Sequence, residues 1–140
     1  MKTQQKTDKG HLKFQVSFFY KKSERGNFMF HKFIDTILDI IFENQVNLAC
    51  IRVTESTAQK ISTERINIEA IIQELIASSS IEKYYVGQIS TISAKLGIAR
   101  ENFKPLIDSK ANDCEFFNDW NKYNKEEKES LLAALSAFNI

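Results

Sequence analysis

The sequence predicts an α/β domain built on a mixed sheet, antiparallel at its start and parallel thereafter, with helices on its flanks. Three observations carry that expectation. Residues 11–20, HLKFQVSFFY, alternate apolar and polar side chains with a period of two, the pattern of a half-buried strand. Residues 46–54, VNLACIRVT, are a short apolar run with β-branched members, as an interior strand covered on both faces requires. The segments around it repeat apolar residues at three- and four-residue spacing, as amphipathic helices do. Strands that alternate with helices pair in parallel through right-handed crossovers. At 140 residues, 43% hydrophobic and 26% charged, the chain is one domain long enough to bury a core.

Residues 1–10 are a polar lead-in, and 11–140 form the folded unit. After the strand at 11–20, KKSERGN (21–27) is a charged turn with Gly26, and FMF (28–30) is a short return strand or the entry to a helix. FHKFIDTILDIIFEN (30–44) is a helix with Phe30, Phe33, Ile34, Ile37, Leu38 and Ile41 on one face, stopped by Asn44. The strand at 46–54 follows. STERINIEAIIQELIASSS (62–80) is a second helix, with Ser62 as N-cap, Glu64 in the first turn and Ile68, Ile71, Ile72, Leu75 and Ile76 inward. IEKYYVGQI (81–89) is the next strand, parallel to 46–54, and STISAKLGI (90–98) is a short helix ending at Gly97. Residues 99–123 are a long polar loop holding the one proline, Pro105, and the one tryptophan, Trp120. NKEEKESLLAALSAF (124–138) closes the chain as a helix. Asn124 and Glu127 make a capping box, and Leu131, Leu132, Leu135 and Phe138 make the buried stripe.

Composition excludes several functions. The net charge of +1 exerts no global pull on nucleic acid or membrane. No apolar segment reaches the roughly 18 residues of a membrane span, and no apolar stretch of a signal peptide follows the N-terminus. Cys50 and Cys114 stand apart, outside metal-ligand spacing, and read as reduced thiols of a cytoplasmic protein. His11 and His31 have no partner at zinc spacing and no triad motif around them. Four glycines exclude the usual phosphate loops. The charge is uneven, however. The first 27 residues hold seven basic side chains against Asp8 and Glu24, and Lys13, Lys21, Lys22 and Arg25 make a basic strip suited to a phosphate backbone.

The element order, with the pieces FENQVN, LACIRVTE, RINIEAIIQ, IEKYYVGQISTISAKLGI and EEKESLLAAL, resembles the ribonuclease H-like superfamily in its RuvC-type form. Within it, the chain is similar to a small family of uncharacterised bacterial RuvC-like proteins, over roughly residues 28–138. The resemblance implies carboxylates from separate elements holding Mg or Mn for phosphodiester hydrolysis, with two hard cations about 4 Å apart and oxygen ligands around them. Carried over, Glu55 at the end of the strand after the first helix and Glu127 on the last helix are the catalytic and metal-binding positions, while Glu126 and Glu129 point further toward solvent. The first strand, HLKFQVSFFY, holds no Asp or Glu, and the stretch ahead of residue 30 is short for three antiparallel strands. The resemblance therefore implies a degenerate or minimal ribonuclease H-like domain, with a shortened N-terminal hairpin, that binds nucleic acid or a protein partner without efficient cleavage. Two alternatives stay open: a divalent-metal nuclease acting on DNA or RNA, and a protein-interaction or inhibitor module with no nucleic-acid role.

Two further constellations remain. STISAKLGIARENFKPL (90–106) has helix-turn-helix features: small Ser93, Gly97 four residues later, and Ile98, Phe103 and Leu106 as pocket residues. Pro105 inside the second helix opposes it, at a cost of about 3 kcal/mol. EFFNDWNKY (115–123) places Phe116, Trp120 and Tyr123 on one helical face, either docked on the sheet or exposed to a protein partner.

Overall fold

A computed structural model of the protein describes residues 30–140. The strand at 11–20, the turn at 21–27, the hairpin and the basic strip of Lys13, Lys21, Lys22 and Arg25 lie outside the described residues. The elements are α1 (Phe30–Glu43), β1 (Leu48–Arg52), α2 (Thr63–Ala77), β2 (Lys83–Gly87), α3 (Ile89–Leu96), α4 (Arg100–Asp108) and α5 (Lys125–Ser136). Single 3₁₀ turns occur at Trp120–Lys122 and Ala137–Asn139.

β1 and β2 pair in parallel, as the sequence predicts, in the register Leu48↔Lys83, Cys50↔Tyr85 and Arg52↔Gly87, with α2 as the crossover between them. Among the described residues β1 has β2 as its one neighbour. The two faces of this ribbon meet different layers. On one side α1 and α2 close around Ile37, Ile41 and Leu75, with Phe33, Ile34, Val46, Ile72 and Ile81 packed against them. On the other, Cys50 and Tyr85 pack on a larger cluster of Ile92, Phe103, Ile107, Trp120, Leu131, Leu132 and Ala133 from α3, α4, the Trp120 turn and α5. Alternation along the strand puts Ile51 on the opposite face from Cys50, and Ile51 is buried.

Two helices end in the same six-residue closure. At α1, Gln45 takes a left-handed φ of 51°, its N–H donates to Phe42 O at 3.3 Å, and Val46 N–H donates to Ile41 O at 3.0 Å. At α3, Gly97 takes φ 69°, with Gly97 N–H to Ala94 O at 3.2 Å and Ile98 N–H to Ser93 O at 2.9 Å. Both are Schellman closures, which pair the last carbonyls of a helix. Glycine enters that conformation freely, whereas a residue with a Cβ resists it.

The structure corrects three expectations here. The segment at 99–123 is not one loop, because α4 forms inside it with Pro105 in its interior. Proline removes a single ladder bond in so short a helix, and the burial of Phe103 and Ile107 on the opposite face offsets that loss. The stripe of α1 is narrower than its spacing implies, because Leu38 is exposed. The stripe of α5 is wider, because Leu131, Leu132, Ala133, Leu135, Ser136 and Ala137 are all buried, while Phe138 in the closing turn is 45% exposed. α5 is enclosed by α3, α4 and β1 together, so its buried surface exceeds one face.

Ser93 on α3 is 1% exposed, and its hydroxyl is the one fully buried side-chain polar atom without a partner among the described residues. An unsatisfied buried hydroxyl costs about 1–3 kcal/mol, and serine is also a weaker helix former than alanine. Ser93→Ala is expected to raise stability by about 1 kcal/mol, read as a shift of the urea midpoint at unchanged slope.

Candidate functional site

Parallel α/β sheets bind ligands at the carboxyl ends of their strands, where loops diverge. At that end of β1 the chain runs Arg52-Val53-Thr54-Glu55 and then turns, with Ala58 N–H donating to Glu55 O at 3.1 Å. Three carboxylates from three helices or loops meet this stretch.

Arg52 is the centre. Its Nε donates to Glu129 Oε1 of α5 at 2.5 Å, its Nη2 lies 3.1 Å from Glu55 Oε1, and its Nη1 donates to the carbonyl of Val53. Glu55 Oε1 also accepts the N–H of Ile89, the first residue of α3, at 2.8 Å. A carboxylate there completes an otherwise orphan donor and complements the positive end of the helix. Beside it, Glu69 Oε1 of α2 accepts from Thr54 N at 2.8 Å, Thr54 Oγ1 at 2.7 Å and Arg65 Nε at 3.0 Å. Gln88 Nε2 reaches the Thr54 carbonyl at 3.3 Å. The loop after β1 is thereby fastened to α2, α3 and α5 by side chains that satisfy one another.

The two carboxylates carried over from the resemblance hold different posts. Glu55 stands three residues beyond the end of β1, half-buried in the Arg52 bridge. Glu127 completes the capping box of α5: Asn124 Oδ1 accepts Glu127 N–H at 2.8 Å, and Glu127 Oε2 accepts Asn124 N–H at 2.9 Å. The acid of α5 that shares a partner with Glu55 is Glu129. Its expected solvent-facing position is corrected, since it is half-buried against Arg52. Sequence spacing could not find Glu129, because one helical turn offers several acids and only the docking angle of α5 selects among them. Among the described residues no group of three or more His, Cys, Asp or Glu is placed to hold a metal ion. A guanidinium occupies the space between the two acids, so this donor set does not fit a divalent cation.

Behind the bridge, on the same face of the ribbon, lies a second polar cluster. Tyr85 OH and Ser136 Oγ form a short hydrogen bond, and Ser136 Oγ donates to Ala133 O at 2.6 Å. The Lys95 ammonium sits 4.8 Å from the centre of the Tyr85 ring, in cation–π range. Gly87 makes room for that ring: a Cβ there would fall 2.8 Å from Tyr85 Cε2 and 3.2 Å from Ile92 Cγ1. Burial pushes the Cys50 thiol above its ordinary value, with hydrogen bonds to Tyr85 and Ser136 opposing it in part. Burial likewise pushes the Tyr85 phenol up, reinforced by its bond to Cys50. Both groups are held neutral, and a neutral buried thiol is a poor nucleophile.

The aromatic segment is also corrected. Trp120 is 0% exposed and is withdrawn from any partner surface. It lies on a single 3₁₀ turn rather than a helix, stacks on Phe117 at 5.6 Å and meets Tyr123 edge-on at 6.4 Å. Phe116 packs against the core of α3, α4 and α5 rather than the sheet alone, and Tyr123 remains exposed. No helix among the described residues is long and apolar enough to cross a membrane. No protein-family model, curated protein or solved structure matches the chain.

Two outcomes follow from this geometry. Arg52→Ala leaves Glu55 and Glu129 half-buried without their shared cation. It is expected to cost about 2 kcal/mol, between the values of surface and buried pairs, and the added changes Glu55→Gln and Glu129→Gln should restore part of it in chemical denaturation. The raised Cys50 and Tyr85 values mean that the folded state holds these protons more tightly than the unfolded chain. Their contribution is fully present below the ordinary thiol value of 9.0 and is lost as pH rises beyond it. Melting temperature should therefore fall above pH 9, and Cys50→Ala should flatten that fall.

Proposed function

We propose that the protein is a nucleic-acid-binding domain of ribonuclease H-like type that does not cleave what it binds. The parallel β1–α2–β2 unit, entered from a helix and closed by α5 against β1, supports that fold reading. The observation that carries the functional half is the Arg52 bridge. Where metal-dependent phosphodiesterases of this type gather carboxylates around two cations, this chain sets a guanidinium between Glu55 and Glu129 and spends Glu127 on a helix cap. A fixed organic cation neutralises the acids but supplies neither a Lewis acid nor an activated water. Binding then rests on basic side chains, among them Lys13, Lys21, Lys22 and Arg25 of the basic first 27 residues.

Fluorescence anisotropy with labelled duplex and single-stranded DNA and RNA tests the reading. Affinity should fall steeply with salt, and replacing Lys21 and Lys22 by Ala should lower the slope of log K against log salt by about 2. No shortened product should appear in Mg or Mn. Metal-dependent cleavage by the wild-type chain would restore the nuclease alternative. Salt-independent binding, or none at low salt, would instead place the protein among interaction modules with protein partners.

A further inference from the structure

α3 and α4 are joined by residues 97–99, a three-residue turn that begins at left-handed Gly97. Their inward residues, Ile92 and Ser93 on α3 and Phe103 and Ile107 on α4, are buried, and Leu131, Leu132 and Ala133 of α5 close the same cluster. The three helices thus share one core cluster with Trp120, packed on Cys50 and Tyr85 of the ribbon, and short helices joined by a glycine-bearing turn of three or four residues are the frame of a helix-turn-helix. We propose that α3 and α4 are such a motif, with α4 as the helix that enters the major groove of duplex DNA. This rests on the nucleic-acid reading above and names the surface and the ligand for it.

The exposed side of α4 fits that occupant. Arg100, Glu101, Asn102, Lys104, Pro105 and Asp108 are all exposed, so opposite Phe103 and Ile107 the helix presents a face that is polar except at Pro105. Arg100 and Asn102 lie in the first turn, the part of a recognition helix that meets base edges. Arginine pairs with the acceptors of guanine, and the asparagine amide matches the donor and acceptor of adenine. Lys104 is one turn after Arg100, placed for a phosphate. The Lys125 ammonium already pairs with Asp108 at 2.5 Å, which removes one of the two acids that would repel a phosphate backbone. Ala99 gives the first turn no side-chain cap, leaving that end open to an anion.

Pro105 does not stand in the way. It lies on the exposed side, and the C-terminal end of α4 is held from below by two side chains. Trp120 Nε1 donates to Leu106 O at 2.9 Å, and Lys128, only 5% exposed, donates from Nζ to Ser109 O at 2.7 Å. A rigid mount of this kind suits a reading helix, whose side chains must arrive in register. Duplex DNA is favoured over duplex RNA because the B-form major groove, about 12 Å wide, admits a helix and the A-form groove does not.

The full chain is to be incubated with a pool of random-sequence duplex DNA, and the bound fraction sequenced, with the same pool in single-stranded form as a comparison. A common short duplex sequence should emerge. Asn102→Ala and Arg100→Ala should each relax one base position and weaken binding to the selected duplex by roughly 10-fold. Lys104→Ala should weaken all duplexes alike and lower the salt slope by about 1. All three side chains are exposed, so circular dichroism and melting should be unchanged. Duplex binding that none of the three variants alters would overturn the assignment of α4 and leave nucleic-acid binding standing. Selection of single strands with no duplex preference would also overturn it. Absence of binding to either pool at low salt would overturn both readings.

Discussion

The bridge from Arg52 to Glu55 and Glu129 is the contact on which the arrangement of the chain turns. β1 ends at Arg52, and beyond it the backbone must leave the sheet, cross over α2 and return to β2. A two-stranded ribbon is marginal by itself. The guanidinium ties its open end to α5, and Glu55 carries the tie onward to the first N–H of α3. Three elements separated in sequence, β1, α3 and α5, are thereby registered at one point. Because the charges are partly withdrawn from water, the geometry is enforced: either acid left alone would be penalised by its own desolvation.

A second set of contacts fixes the helical layer. Trp120 and Lys128 act as a pair beneath α4. The indole N–H takes the Leu106 carbonyl near the end of that helix, the ammonium takes the Ser109 carbonyl just beyond it, and the ammonium also lies 5.4 Å from the centre of the indole ring. A buried lysine is tolerated here because a carbonyl oxygen and an aromatic face replace its water. The same arrangement explains why α4 survives a proline. Its lost ladder bond is local, whereas its caps and its apolar face come from α5 and the Trp120 turn.

These two anchorages divide the molecule by role. The carboxyl end of the sheet is a connected network, in which Arg52, Thr54, Glu55, Glu69, Gln88 and Glu129 each have a partner. The neighbouring helical layer buries one side of α4 and leaves the other side exposed among the described residues. The neutral Cys50–Tyr85–Ser136 cluster between them serves packing, with burial holding both acids in their protonated forms.

Much of the architecture was legible in local pattern. The parallel pairing of the two apolar runs, the Ser62 cap, the Asn124–Glu127 capping box and the stop at Gly97 each depend on neighbours within a few residues, or on a periodicity that such neighbours create. Glu55 was found as a residue of interest by its place after an apolar strand. Its partner was not, since Glu126, Glu127 and Glu129 are nearly equivalent in sequence and the angle at which α5 docks decides which acid reaches Arg52. For Trp120 the sequence left docking and exposure open, and it proved fully buried, because the cavity that receives it is made by α4 and α5, which meet only in three dimensions. α4 itself looked improbable while Pro105 was weighed alone. Propensity is a local energy of a few kcal/mol, and burial against distant elements can exceed it. The sequence by itself determined most segments that form strands and helices, with their ends and caps, whereas tertiary packing decided which acid is neutralised, which aromatic is hidden and which face of α4 is left exposed.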